Sequence, residues 1–405
     1  MDTQNAKSIE HVWPFLKVEE MIGQGSSGEV YRVRREGMGR TYYSAVKVIR
    51  IPKGEAEIRE MRNDGMDEQS IHNYFQGLVE QLSAEIDLME SLKSAPNIVC
   101  IQDFSVRKHK IKPSWIAHIR MELLESLNNY RERRGMSEDD VLRLGIDLCT
   151  ALEYCDRVNV IHRDIKPANI FVTEFGDFKL GDFSVSRKTW MTSVRSTKGT
   201  YAYMAPEVAR GLSYDKTIDL YSLGLVMYRL LNENRLPFLP DPPAPIQYED
   251  NQTALSRRLA GESITRPMYG SRELCDVVLK ACAFRPEDRF SSASQMREAL
   301  LECREKTERT ESMEKKLHFS DDTAVENPYR LSTGSGPEDP VQLRGGTILE
   351  TSLRKSSGPL SEAPILPGIR KGSAVKKKDP HASEGGRKEK DDWSESTFRP
   401  AGDLI

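Results

Sequence analysis

Apolar and polar positions change rhythm partway along the chain. Near the start, short β-branched runs such as Val30-Tyr31-Arg32-Val33-Arg34-Arg35 and Tyr43-Ser44-Ala45-Val46-Lys47-Val48-Ile49 predict strands. Beyond Ser137 the spacing becomes helical, as in VLRLGIDLCTALEYC and IDLYSLGLVMYRLL. A small strand-rich lobe followed by a larger helical one is therefore expected. Soon after Cys303 the helical SSASQMREALLECREK gives way to Ser, Gly, Pro and interspersed charge, so the fold is expected to end near residue 310. From Ser312 to Ile405 apolar residues stand singly or in short clusters such as Ala363–Ile369. These are too sparse to offset the entropy of ordering, and 312–405 reads as a disordered, low-complexity tail.

A chain of 405 residues with 38% hydrophobic content is long enough for a two-lobed enzyme. The balance of 59 basic against 62 acidic residues singles out neither nucleic acid nor an anionic membrane as partner. The six cysteines never fall in a CxxC spacing and no histidine pair accompanies them, which argues against a disulfide framework or a zinc site. Met1–Glu10 is polar, and no apolar run is long enough to span a membrane, so a cytoplasmic enzyme is the simplest inference.

Candidate chemistry begins at Ile22-Gly23-Gln24-Gly25-Ser26-Ser27-Gly28-Glu29-Val30, glycines set between two strand-like runs rather than between a strand and a helix. That setting argues against a dinucleotide fold. Glycines let a backbone approach phosphate oxygens closely, although a plain hairpin turn would look similar. Lys47 follows on an alternating strand, where it could point into a cleft beneath the loop or lie on the surface. In the helical stretch 82–92, Glu85 shares a face with Met89 and Leu92, and an inward carboxylate there needs a partner that Lys47 could supply.

Three further segments narrow the choice: Ile161-His162-Arg163-Asp164-Ile165-Lys166-Pro167-Ala168-Asn169, Leu180-Gly181-Asp182-Phe183-Ser184, and Tyr203-Met204-Ala205-Pro206-Glu207. With them the chain resembles the eukaryotic-type (Hanks-type) serine/threonine protein kinases over roughly Trp13 to Leu301, its motifs falling in the family's order. The resemblance implies an α+β fold of two lobes. Residues 13–305 would form the kinase domain, with an N-lobe of about 13–122 and a C-lobe of about 125–305, after an N-terminal extension at 1–12.

The resemblance further implies ATP and magnesium as cofactors, with manganese as a substitute. Asp164 would accept or orient the proton of the attacking hydroxyl, Lys166 would neutralise charge on the transferring phosphoryl group, and Asn169 and Asp182 would hold the metal. Gly23, Gly25, Gly28 and Lys47 would attend the phosphates, with Glu85 as partner of Lys47. Ile22, Val30, Ala45 and Phe171 would cover the adenine, Met121 would stand as gatekeeper, and Glu122 and Leu124 would offer backbone groups. The DIKPAN form of the catalytic loop and Thr200 look like the serine/threonine version rather than the tyrosine one.

Arg163 ahead of the catalytic aspartate resembles the arginine that senses a phosphorylated activation segment, and Thr192, Ser193, Ser196 and Thr197 are the candidate phosphosites. Asp219 resembles the aspartate that braces the catalytic loop, and Arg289 the partner of Glu207. Two departures stand out: Ser184 replaces the usual glycine, and 51–81 is a longer link than usual, expected to be helical from Asp67 onward. That insertion, Trp13 and the Asn232–Pro240 segment look most like the bacterial branch. Protein substrates are implied, without nucleic acid or a membrane span. Thr347–Ser352 and Ser394–Thr397 could recruit a phosphothreonine-binding, forkhead-associated partner once phosphorylated. The competing interpretation is a pseudokinase scaffold acting through its tail, against which stands the presence of Lys47, Asp164 and Asp182 together.

Overall fold

A computed structural model of the chain describes residues 3–25, 28–109, 114–183, 201–321 and 393–395, with residue 3, 310–321 and 393–395 described by backbone alone. The chain divides into two units, 1–316 with 391–405, and 317–390.

The alternating runs form an antiparallel sheet of β1 (Lys17–Gly25), β2 (Gly28–Gly37), β3 (Arg40–Ile51), β4 (Ile101–His109) and β5 (Trp115–Met121), in the order β1-β2-β3-β5-β4. One face packs on a helix, α1 (Thr3–Val12), where Ile9, Trp13 and Leu16 meet Tyr31, Val33, Val46, Val48 and Ile116. Elsewhere the sheet packs on the link between β3 and β4. That link holds α2 (Glu55–Asn63) and the 24-residue α3 (Glu68–Ser91). The helix start expected at Asp67 is there, its carboxylate accepting a 2.7 Å bond from the Ser70 backbone as an N-cap. Phe75, Ile71 and Val79 cluster with Trp115, while Leu82 and Ile86 sit on Ile101, Ala117 and Ile119. The extra length of the link thus gives α3 additional turns buried on the strands.

Past β5 the chain enters the helical lobe through β6 (Glu125–Ser126), α4 (Leu127–Arg134) and α5 (Glu138–Arg157), the last opened by a Ser137/Asp140 capping box. There follow β7 (Ile170–Val172) and β8 (Phe178–Leu180), which with β6 make a three-stranded sheet, then α6 (Pro206–Ala209), α7 (Thr217–Leu230), α8 (Tyr248–Ala260), α9 (Arg272–Ala281) and α10 (Ala293–Asp321). One core draws on α5, β7, β8, α7, α9 and the start of α10, with Leu144, Leu148, Phe178, Leu223, Val278 and Met296 fully enclosed.

Helix α10 itself runs past residue 310, to Asp321. A last strand, β9 (Trp393–Glu395), pairs antiparallel with β4 as the sheet's sixth member. The rest of the tail lies outside the described residues, as do Ser184, the candidate phosphosites Thr192, Ser193, Ser196 and Thr197, and Thr200.

Candidate active site

A cavity of about 1080 Å³ opens where the two lobes face each other. Its roof comes from the β1–β2 hairpin through Ile22, Gly23, Gly25, Gly28 and Val30, and from Ala45 and Lys47 on β3. Glu85 on α3 stands on the wall, Met121, Glu122 and Leu124 line the connection between lobes, and Asn169, Phe171 and Asp182 form the floor. Every residue expected to bind ATP or metal therefore borders one cavity.

Packing dictates one roof glycine and leaves the others free. Gly28 has φ +133°, and a Cβ there would meet the Val48 carbonyl oxygen at 2.4 Å, so the fold itself requires glycine. At Gly25 a Cβ would meet nothing within 4 Å, and at Gly23 only Val30, at 3.8 Å or more. Bare backbone at those two positions keeps room beneath the loop rather than relieving a clash.

The floor rests on a buried carboxylate. Asp219 on α7 accepts the backbone N–H of His162 at 2.7 Å and of Arg163 at 2.8 Å. Arg163 has a φ of 66°, in the left-handed region, and the bond to Asp219 holds it there. Burial pushes the Asp219 carboxyl above its usual range, against the opposing pull of His162 and the two N–H donors. The His162 ring links the 161–169 and 180–183 segments, its Nε2 lying 3.1 Å from the Gly181 carbonyl oxygen and its centroid 4.8 Å from that of the Phe183 ring in an edge-type arrangement. At Gly181 a side chain would collide with Val99 at 2.8 Å and Phe171 at 3.0 Å.

Asp164 is 6% exposed and held by two residues. Lys166 Nζ reaches its oxygens at 2.9 and 3.1 Å, Asn169 Nδ2 donates to Oδ2 at 3.1 Å, and the same amide donates to the Asp164 carbonyl at 2.8 Å. With its nitrogen committed to Asp164, the Asn169 amide leaves Oδ1 as the atom for a metal. Asp182, also in the left-handed region at φ 58°, accepts on Oδ1 from Lys47 Nζ at 2.6 Å. Desolvation opposes its ionisation, but Lys47, His162 and Lys166 outweigh it and hold the carboxyl below its usual range.

The pair expected between Lys47 and Glu85 is not the one found. Among the described residues the carboxylate that takes the Lys47 ammonium is Asp182, which its left-handed backbone turns toward β3, while Glu85 stands half-buried on the cavity wall. A second contact had no sequence signal at all. The Glu122 carboxylate binds Lys179 Nζ at 2.8 and 3.0 Å and accepts the Cys100 N–H at 2.7 Å, pinning the interlobe connection to β8 and to the start of β4. The Glu122 N–H is already donated to the Cys100 carbonyl at 3.2 Å, so its own carbonyl is what it can offer a ligand. Asp219 and the Arg289–Glu207 pair fall where the resemblance put them, with Arg289 donating to both Glu207 oxygens at 2.7 and 2.8 Å in the core.

The sequence pattern of the protein kinase domain matches residues 16–301. The chain belongs to the protein kinase domain family. Its kinase domain is similar to the serine/threonine-protein kinase PknB of Mycobacterium leprae, 33% identical over 216 residues that make up 51% of this chain and 33% of that protein. A probable serine/threonine-protein kinase of Streptomyces coelicolor is 29% identical over 292 residues, 70% of this chain and 39% of the relative. Serine/threonine-protein kinase 36 of Pongo abelii is 35% identical over 217 residues, 53% of this chain and 14% of the relative. The chain thus spans less than half the length of these curated relatives. Bacterial kinases stand among them, the branch suggested by the link at 51–81 and the flanking segments. Among the described residues of the kinase domain and its flanks, no helix is long and apolar enough to cross a membrane.

Proposed function

We propose that this kinase domain transfers the γ-phosphoryl group of ATP to serine and threonine hydroxyls of proteins, as a non-specific serine/threonine protein kinase. The observation that carries the proposal is the bracket Lys166–Asp164–Asn169, an enclosed carboxylate flanked by a cation and an amide, joined through Asn169 to the cavity that Lys47 and Asp182 also border. In the forward step the acceptor oxygen bonds to the γ-phosphorus, the bond from that phosphorus to the bridging oxygen breaks, and ADP leaves. The acceptor proton goes to the Asp164 carboxylate. Lys166 stands beside Asp164 to offset charge on the group in transfer, and Lys47 holds phosphate oxygens under the glycine loop.

A magnesium ion fits the donor set. Among the described residues there is no cluster of three or more His, Cys, Asp or Glu that would form a protein-only cage. The Asp182 carboxylate and Asn169 Oδ1 are hard oxygen donors that leave most coordination positions to phosphate and water, as magnesium prefers, and manganese suits them as well. When bound, the ion neutralises phosphate charge. The chain's part is to hold Asp182 and Asn169 in place through the backbone conformation and the Asp164 bonds already described.

A cytoplasmic location, phosphorylation of Thr192, Ser193, Ser196 or Thr197 by the chain itself, an Asp164–Lys166–Thr200 contact, and a forkhead-associated partner for the tail belong to the same proposal. The test is incorporation of labelled phosphate from magnesium-ATP into the purified chain and a basic protein, followed by phosphoamino-acid analysis. Phosphoserine or phosphothreonine is expected. Phosphotyrosine alone would overturn the acceptor class.

A further inference from the structure

Helix α1 lies ahead of the region that matches the family, yet it reaches the glycine-rich hairpin that roofs the cavity. Asn5, 4% exposed, is its contact. Asn5 Oδ1 accepts from Arg50 Nε at 2.8 Å and Nη2 at 2.6 Å, which fixes the amide so that Nδ2 donates to Glu29 Oε2 at 2.7 Å. Glu29 sits between Gly28 and Val30, both of which border the cavity. Its carboxylate also accepts from the Tyr31 hydroxyl, and its other oxygen receives Gln24 Nε2 at 3.3 Å. Gln24 lies between Gly23 and Gly25, directly opposite Glu29 in the β1–β2 register.

One carboxylate therefore ties together both strands of the glycine-rich hairpin beside its turn, and α1 holds that carboxylate. The other polar contacts of α1 lie away from the turn: Glu10 meets Lys17 and Val18 at the start of β1, and Ser8 Oγ lies 2.9 Å from His118 Nε2 on β5. The apolar residues Ile9, Trp13 and Leu16 dock the helix. A helix that only covered the sheet would need those apolar residues and no polar link to the hairpin. The enclosed amide with both ends engaged is what distinguishes this one, because a buried amide is stable only when its partners are in place.

We propose that Asn5 is a positioning residue, through which α1 sets the height of the glycine-rich loop over the nucleotide by way of Glu29. The inference rests on the cavity being the ATP site. With Asn5 intact, the backbone N–H groups of the hairpin are held where phosphate oxygens lie. Without it, Glu29 is released toward water and the hairpin gains freedom that nucleotide binding must then remove.

The test is a double-substitution cycle on the full chain, reading magnesium-ATP affinity by calorimetry together with KM for ATP and kcat. Asn5→Ala and Glu29→Ala are each expected to weaken ATP binding and raise its KM by roughly three- to tenfold, the net scale of one hydrogen bond, with kcat within about twofold. The double variant is expected to be no weaker than either single one. Ser8→Ala, which removes a contact of the same helix but not one to Glu29, should lower Tm and leave ATP affinity unchanged. Unchanged ATP affinity in Asn5→Ala, or effects of Asn5→Ala and Glu29→Ala that simply add, would overturn the positioning role while leaving the kinase reading intact. Failure of the unaltered chain to bind magnesium-ATP would overturn both.

Discussion

The two sides of the cleft are held by different kinds of contact. The floor is braced from inside the protein: Asp219 grips two backbone N–H groups, His162 links to Gly181 and Phe183, and Arg289 fixes Glu207 in the core. The roof is held by side chains at the cavity wall and on the outer face of the sheet, through Lys47 on Asp182 and Glu29 on Asn5. Buried carboxylates with fixed partners rarely exchange them, because a partner lost in the core leaves an uncompensated charge. A part-exposed ion pair exchanges partners at little cost. The floor is therefore built to stay, and the roof to release one partner and accept another.

Breaking the buried side of this contrast should have the largest effect on stability. Arg289→Met leaves Glu207 enclosed without its cation and is expected to lower folding stability by about 3–5 kcal/mol, read from urea unfolding. A loss near zero would mean that the floor is no more firmly held than the roof. Acid should act next, on the sheet face under α1. Ser8 donates its hydroxyl to the Asn5 carbonyl at 2.7 Å, so it can only accept from His118, whose ring therefore carries a proton on Nε2.

Burial, with Arg107, Arg50 and His11 nearby, pushes the His118 imidazole from 6.5 down to about 3. Its folded value is below its unfolded one, so the unfolded chain binds more protons between those limits. Stability is complete above the unfolded value and is lost as pH falls below it, by about 2 kcal/mol at pH 5. His118→Gln should flatten that part of a Tm–pH profile. An unchanged acid slope would show that other groups carry it.

The smallest stability effect is expected at the cleft itself. Lys47→Met removes a part-exposed pair and should change folding by no more than about 1 kcal/mol. Turnover should nonetheless fall by roughly 10²- to 10³-fold, as when one electrostatic contact to the reacting group is lost. A large fall in stability would place Lys47 among the structural braces instead.

The C-lobe side of the site was readable because its residues sit in contiguous segments. His162–Asn169 and Leu180–Phe183 carry their own spacing, and each is completed by local bonds such as Lys166 and Asn169 on Asp164. The two-lobed architecture followed from the change of period, and the start of α3 from a capping aspartate. What could not be read depends on contacts between distant positions. The partner of Lys47 is decided by the backbone conformation of Asp182, and Glu122 finds Lys179 only after folding. Helix α1 was hidden because its docking face mixes Asn5 and Ser8 with few apolar residues. Composition was equally silent on the run of α10 to Asp321 and on the three-residue β9, whose pairing depends on the edge of β4 rather than on its own sequence.

The central claim is that the floor supplies a catalytic carboxylate, not merely a place for nucleotide to sit. Asp164→Asn compared with the unaltered chain tests it most directly, with magnesium-ATP affinity and phosphate transfer to serine and threonine measured on the same samples. ATP affinity within about threefold together with transfer reduced by at least ~10²-fold is expected, the scale of a lost general base. Equal transfer by both proteins would contradict the role of Asp164, and no transfer by either despite ATP binding would make the chain a nucleotide-binding scaffold.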